Sequence, residues 1–404
     1  MSQGLKKTAI ITDGLWRKSI SAIRSAGRAG YEVVVLGDSV FTTGFYSRFT
    51  AQHLLGPTAA GDPQGFGPLL EKAVAQAKDR PVIIPMEDAT CEWLLDHGDG
   101  MANAADWLLP SKESFTVARD KALTIQLAQR LGLDCPRTHF PESAAELGRL
   151  VAGLDPVDLE NWIIKPRTGS GSAGIVYGGQ ILRTDLATHW NGCGPLLLQE
   201  RIPAEGTAYG VSVLYDRSGL CQVAFAHKRL QQYPHTGGPS TQRVAIPLDG
   251  LLQASTRLLD ALHWRGVAMV EWKEHPKTGR RMLMEINPRF WGSLELGIRA
   301  GVDFPALYIA AASGLPLPSL PAYQSGVRCR WLVPGDILRY LSAPTGTRES
   351  IREFFRGFWA ESEEFDRGDI RGSIACWICP ALLILNPKYW RYLRRSAAKD
   401  KPGK

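Results

Sequence analysis

Residues 283–293 read LMEINPRFWGS and carry an acid, an amide and a guanidinium (Glu285, Asn287, Arg289) at alternating positions. Alternate residues of a strand point to one face, so these three line a face where apolar packing is the norm. A second strand, GVAMVEWKEH (266–275), holds Glu271 and connects to the first through the turn EHPKTGR. Pairing the two brings Glu271 close to Glu285 and Asn287. Such an oxygen-rich set suits Mg²⁺ shared with substrate phosphates. The alternative is a surface hairpin with solvated charges, and the apolar runs around both acids weigh against it.

The first third of the chain alternates strands and helices. TAIITDG (8–14), YEVVVLGDS (31–39) and PVIIPMED (81–88) are apolar strands, separated by helical patterns in RKSISAIRSAGRAG and around PLLEKAVAQAKD. That order predicts a parallel, doubly wound sheet. Ligands of such sheets sit beyond the strand C-termini, which draws attention to Asp13, Asp38, Glu87 and Asp88. The plain alternative for each is a turn or capping residue. No GxGxxG follows the first strand, so a dinucleotide dehydrogenase lacks its main support.

A single helical region is expected over 111–136, from a capping serine to Gly132 and Pro136. In NWIIKPRTGSGSAGIVYGG (161–179), a strand delivers Lys165 to a loop holding Gly169, Gly171 and Gly174. Glycines let backbone N–H groups approach an anion closely, and Lys165 adds a point charge. Taken alone, the loop also fits a simple hairpin turn, and its spacing is not that of a Walker loop. Further on, a strand leads to His227, Lys228 and Arg229, ahead of a Gly-Gly-Pro loop long enough to act as a lid. Lys228 and Arg229 join Arg289 as candidate catalytic cations.

Charge and cysteine usage narrow the setting. The 404 residues carry a net charge of +7, but residues 388–404 alone hold +6, so the body is near neutral. The basicity belongs to a tail rather than to a nucleic-acid groove. The start, MSQGLKKTAIITDG, does not read as a secretory leader. Seven cysteines, an odd number scattered along a long chain, suggest a reducing cytoplasm. Cys376 and Cys379 form a CxxC without a second pair and are expected to be buried structural thiols. The eight histidines show no ligand spacing, which argues against zinc.

Five pieces occur in order: Lys121, IIKPRTGSGSAGI, LLLQERIP, Glu271 and MEINPRFWGS. Together they resemble the ATP-grasp superfamily of carboxylate–amine ligases over roughly residues 5–320. The resemblance implies an α/β ATP-grasp fold: a Rossmann-like parallel-sheet domain (1–110), a small α/β lid subdomain (111–200) and a larger antiparallel-sheet subdomain (201–325). Residues 326–404 lie outside it and read as a helical extension with a basic tail. It implies ATP and Mg²⁺ or Mn²⁺ as cofactors. Lys121 and Lys165 would hold the phosphates, and Thr168, Gly169, Ser170, Gly171 and Gly174 would form a flap over them. Gln199, Glu200 and Ile202 would meet adenine, with Glu205 the nearest candidate for the ribose. Glu271, Glu285 and Asn287 would be the metal ligands and Arg289 would face the transferred phosphate. Glu271 stands where an Asp is common in the superfamily.

The implied activity is ATP-dependent amide formation from a small-molecule carboxylate and an amine, with a homodimer as the expected assembly. A carboxyphosphate-forming enzyme and a non-catalytic nucleotide binder are the competing classes. The chain lacks a duplicated synthetase half, a biotin carrier domain and a glutaminase. Beyond the resemblance, the apolar SIACWICPALLILNP and the basic, aromatic KYWRYLRR close the sequence. The 16-residue uncharged stretch 372–387 is too short for a spanning helix. Two readings remain for it, a helical appendage packed on the core and peripheral contact with an anionic membrane surface.

Overall fold

The computed structural model describes residues 7–169, 174–234, 237–318, 322–343 and 350–384. The described residues build three sheets. The first is parallel and contains β1 (Thr8–Ile11), β2 (Glu32–Gly37), β3 (Thr50–Leu55) and β4 (Val82–Ile84), in the order β3-β2-β1-β4. β1 and β4 are wholly buried, because helices cover both faces of the sheet. Phe66, Leu70 and Leu94 from helices Pro63–Ala75 and Asp88–His97 pack on one face. Ala22, Ile23 and Ala26 from helix Arg17–Arg28 pack on the other. β3 was not apparent in the sequence: it is an edge strand of alternating exposure, TAQHLL, and lacks an apolar run.

The second sheet is small and antiparallel, with β5 (Thr138–His139), β6 (Trp162–Pro166), β7 (Val176–Tyr177) and β8 (Leu196–Glu200) in the order β5-β8-β6-β7. Trp162 and Ile164 of β6 face a core under helices Ala144–Ala152 and Leu186–Cys193. The alternate residues Ile163 and Lys165 face a cavity.

The third sheet is antiparallel and six-stranded: β9 (Ala208–Tyr215), β10 (Cys221–Gln232), β11 (Ser240–Ile246), β12 (Gly266–Glu274), β13 (Arg281–Asn287) and β14 (Arg328–Arg330). Their order is β13-β12-β9-β10-β11-β14. One face packs on helices Lys112–Arg119, Lys121–Arg130 and Gly250–Asp260. The other face shares a core with the parallel sheet through helices Leu294–Arg299 and Phe304–Ala312. The hydroxyl of Tyr308 accepts from Leu108 N at 2.9 Å within that shared core.

Two local outcomes differ from expectation. The helix anticipated over 111–136 breaks at Asp120, whose backbone is extended (φ −90°, ψ 111°). Its carboxylate caps Ala122 N at 2.8 Å and Leu123 N at 3.4 Å and also takes the Arg167 guanidinium. In the C-terminal extension, residues 328–330 form an edge strand, and the stretch SIREFFRGFWAESEEF supplies only one short helix, Ile351–Phe355. The last described element of the extension is helix Ile370–Ile384, packed against the turn Thr43–Tyr46. Among the described residues no helix is long and apolar enough to cross a membrane. Cys376 and Cys379 are buried free thiols on that last helix.

Candidate active site

A cavity of about 360 Å³ lies between the small sheet and the six-stranded sheet. β12 and β13 form its floor. Glu271 is the register partner of Glu285, and Met269 of Asn287, so the two carboxylates face each other across the hairpin. Asn287 Nδ2 donates to Glu271 Oε1 at 3.2 Å. The register then slips: Trp272 opposes Leu283, leaving Met284 as an extra residue. Such a bulge bends an edge strand and re-aims a side chain, and Met284 joins Glu285 on the cavity wall.

Cations ring this pair. Arg229 Nη2 lies 3.3 Å from Glu271 Oε2, and Lys121 Nζ lies 3.1 Å from Glu285 Oε2. Lys121 owes its position to the break at Asp120, which makes it the first residue of its helix. A lysine there opposes the helix dipole, so the interaction with Glu285 offsets a local cost. Lys121 Nζ also donates to the carbonyl of Gly169 at 2.8 Å, and Gly169 has φ 109°, a conformation that favours glycine.

Burial sets the electrostatics. It pushes the Lys165 pKa down to about 7, with Lys121 adding to the effect and Glu285 opposing it. Burial raises the Glu271 carboxyl, against the pull of Arg229. For Glu285 burial acts in the same upward direction, but Lys121 and Lys165 outweigh it and hold the group below the usual carboxylate range. Arg289 sits just beyond β13, with Nε 3.0 Å from Asp88 Oδ1 at the C-terminal edge of the parallel sheet. Burial would depress its pKa, and Asp88 together with Glu87 reverses that. Of the other acids noted at these strand ends, Glu87 pairs with Lys18 at 2.7 Å and Asp13 accepts from Thr12 and Thr90.

The cavity gathers Lys121, Lys165, Thr168, Gly169, Glu200, Ile202, Arg229, Glu271, Glu285, Asn287 and Arg289 from the residues singled out in the sequence. Others lie elsewhere. Gln199 pairs with Ile163 across the sheet but does not line the cavity; it is fully buried and donates to Thr138 Oγ1. Lys228 lines an adjoining cleft, together with the exposed Glu205, because neighbours on a strand face opposite ways. Gly174 packs near Pro166 and Cys193. Ser170 and Gly171 lie outside the described residues.

Sequence reading missed several wall residues. Lys273, two positions after Glu271 on β12, reaches the carbonyl of Ile202 at 3.2 Å. Strand alternation from Glu271 would have found it. His227, noted in the sequence only as the neighbour of Lys228 and Arg229, is buried opposite Gly210 on the same wall, and any side chain at Gly210 would strike its ring. Arg17 reaches the wall from the first helix, and no local signal pointed to it.

The donor chemistry fits a hard cation held jointly with phosphates. Two carboxylates and an amide oxygen are the right atoms. Among the described residues no group of three or more His, Cys, Asp and Glu could hold an ion by itself. Arg229 Nε and His227 Nδ1 are buried without a hydrogen-bond partner, as expected of a wall awaiting one.

Comparison with known proteins accords with this geometry. Residues 195–333 match the family described as "ATP-grasp in the biosynthetic pathway with Ter operon". A stretch of 114 residues is 29% identical to acetyl-CoA carboxylase 1 of Oryza sativa subsp. japonica, covering 28% of this chain and 5% of that protein. The structure is similar to biotin carboxylase from Campylobacter jejuni in its β-γ-ATP complex (TM-score 0.62, 16% identity, 81% of this chain and 75% of that one). It is also similar to N5-carboxyaminoimidazole synthetase from Staphylococcus aureus complexed with ADP (0.60, 15%, 80% and 82%). A third neighbour is the L-amino acid ligase of Bacillus licheniformis (0.57, 15%, 77% and 75%).

Proposed function

Because the chain is built on the ATP-grasp fold, we propose that it is an ATP-dependent ligase that activates a small carboxylate as an acyl phosphate and couples it to an amine. The observation that carries this reading is the facing pair Glu271 and Glu285, joined by Asn287 and ringed by Lys121, Lys165, Arg229 and Arg289 in one cavity. Lys121 and Lys165 contact the ATP phosphates, with Thr168 and Gly169 beside them on the cavity wall. Glu200 and the Ile202 backbone meet adenine, with Glu205 toward the ribose. Glu271, Glu285 and Asn287 would hold Mg²⁺ or Mn²⁺, which when bound would supply neutralisation of the phosphate charge.

A carboxylate is a poor acyl donor because its leaving group would be oxide. Attack of its oxygen on the γ-phosphorus forms a C–O–P linkage, breaks the bond to the β-phosphate oxygen and releases ADP. The amine nitrogen then attacks the acyl carbon, phosphate leaves, and the nitrogen proton passes to solvent. Positioning and charge neutralisation dominate phosphoryl transfer, and Arg229 and Arg289 supply fixed charge for it.

The test is ADP release from full-length protein with ATP and Mg²⁺ against an array of carboxylates, each with and without amines. Release that needs both an acid and an amine supports the ligase. Release with bicarbonate alone favours carboxyphosphate formation. Binding of ATP with no turnover across the array, and with no effect of Lys165→Ala on affinity, would sink the assignment.

A further inference from the structure

Helix Ile370–Ile384 has two apolar faces. One packs on the protein through Ala375, Cys376 and Cys379. Ser373 anchors its start, and the preceding Asp369 takes Arg24 Nε at 3.0 Å and Ser47 Oγ at 2.8 Å. The opposite face carries Ile370, Ile374 and Ile378, spaced one turn apart and 50, 53 and 49% exposed. A helix packed on a protein surface normally turns charged residues to water. After Arg371 this helix has none.

The isoleucine row is part of a wider patch. Trp359, 58% exposed, sits with its ring 6.1 Å from that of Trp377 on the same helix. Phe355 stacks on Phe358 at 5.0 Å and is itself largely exposed, as is Ile351. Contiguous apolar surface of this kind marks a binding face.

The chain that follows the helix identifies the partner. Residues 388–404 carry +6 and interleave Tyr389, Trp390 and Tyr392 with Lys388, Arg391, Arg394 and Arg395. Tyrosine and tryptophan settle at the headgroup level of a bilayer, and clustered Lys and Arg seek anionic headgroups. A second copy of this chain fits less well, since it would bring two tails of the same charge together. We propose that the isoleucine face of helix Ile370–Ile384, with Trp359 and Phe355, docks on an anionic lipid bilayer and lies on its surface, the lipid charge matching the basic sequence that follows the helix. The cavity is built from other elements, so this docking stands apart from the ligase chemistry.

Cosedimentation of full-length protein with phosphatidylcholine vesicles, with and without 30% phosphatidylserine, tests the proposal. Binding is expected only to the anionic vesicles and should weaken with salt. Replacing Arg391, Arg394 and Arg395 by Glu should lower it strongly, since each basic residue contributes on the order of fivefold. Ile374→Asp with Ile378→Asp should lower it at least tenfold while thermal unfolding and ATP affinity stay unchanged. Trp359→Ser, in a separate segment, gives an independent apolar variant should that pair fail to fold. Equal binding to both vesicle types, or full binding by the apolar variants, overturns the proposal. So does a wild-type dimer by light scattering that Trp359→Ser or the Ile pair converts to monomer, since a second copy then covers the face.

Discussion

Arg17 and Glu363 are 346 positions apart and meet at the cavity wall. Arg17 Nη1 donates to Glu363 Oε1 at 2.8 Å, and the guanidinium lies 4.4 Å over the Trp331 ring. The other oxygen of Glu363 pairs with the fully buried Arg243 of β11. One carboxylate from the C-terminal extension thus joins the first helix to the six-stranded sheet. Burial lowers the Arg17 pKa to about 10, and Gly292 leaves room for the guanidinium.

Glu363→Gln leaves two buried guanidinium groups with one anion fewer between them. The expected cost is about 3 kcal/mol of stability, since removing one partner of a buried pair strands the other. Urea unfolding checks this. Arg17→Ala should retain ATP affinity yet lose ADP release, because Arg17 lines the cavity without being among the residues assigned to the nucleotide. A wild-type midpoint for Glu363→Gln would mean the contact carries no energy.

Glu285→Gln should lower ADP release on the order of 100-fold in Mg²⁺. Without the metal, the same variant should bind ATP at least as tightly as wild type, since a carboxylate facing the phosphates has gone and Lys121 is freed from its ion pair. Calorimetry with and without Mg²⁺ separates the two effects. Weaker ATP binding in the absence of metal would contradict the assignment.

Arg229 and Lys228 are neighbours on β10 with opposite outlooks. Arg229→Ala removes the counter-charge of Glu271 and a cavity cation, and should reduce turnover more than tenfold. Lys228→Ala should leave turnover within about twofold of wild type. Equal losses for both would mean that the strand face does not decide function here.

His227 titrates near 3 because burial lowers it from 6.5, with Arg243 and Arg229 adding to the effect. The unfolded chain therefore binds a proton that the folded chain refuses. Stability from this group is present above pH 6.5 and is lost as pH falls toward 3. Between pH 7 and 5 the loss is about 2 kcal/mol, at 1.36 kcal/mol per unit. His227→Gln should remove that share of the slope in denaturant titrations at the two pH values. An unchanged slope would show that the imidazole is not held neutral.

Periodicity made the floor of the cavity legible. Glu285, Asn287 and Arg289 alternate, Glu271 sits in a second apolar strand, and a six-residue turn joins the two. These are local facts, since strand alternation acts over neighbours. The same rule, had it been carried further, would have separated Lys228 from Arg229 and found Lys273. The parallel sheet was readable through its buried strands, whereas the edge strand β3, half in water, left no apolar run to read.

What the chain order determined by itself, then, is the chemistry of the floor and the succession of strands and helices, because side-chain type and spacing act locally. Tertiary structure alone decided the rest. Asp120 breaks a helix because Arg167 and two amides meet its carboxylate. Met284 turns inward because β12 and β13 slip register beside it. The acids of ESEEFDRGD, which the sequence did not single out, include sockets for Arg17, Arg24 and Arg243. A buried charge needs its partner within a few ångströms, and that partner is chosen by packing, which no local window of sequence contains.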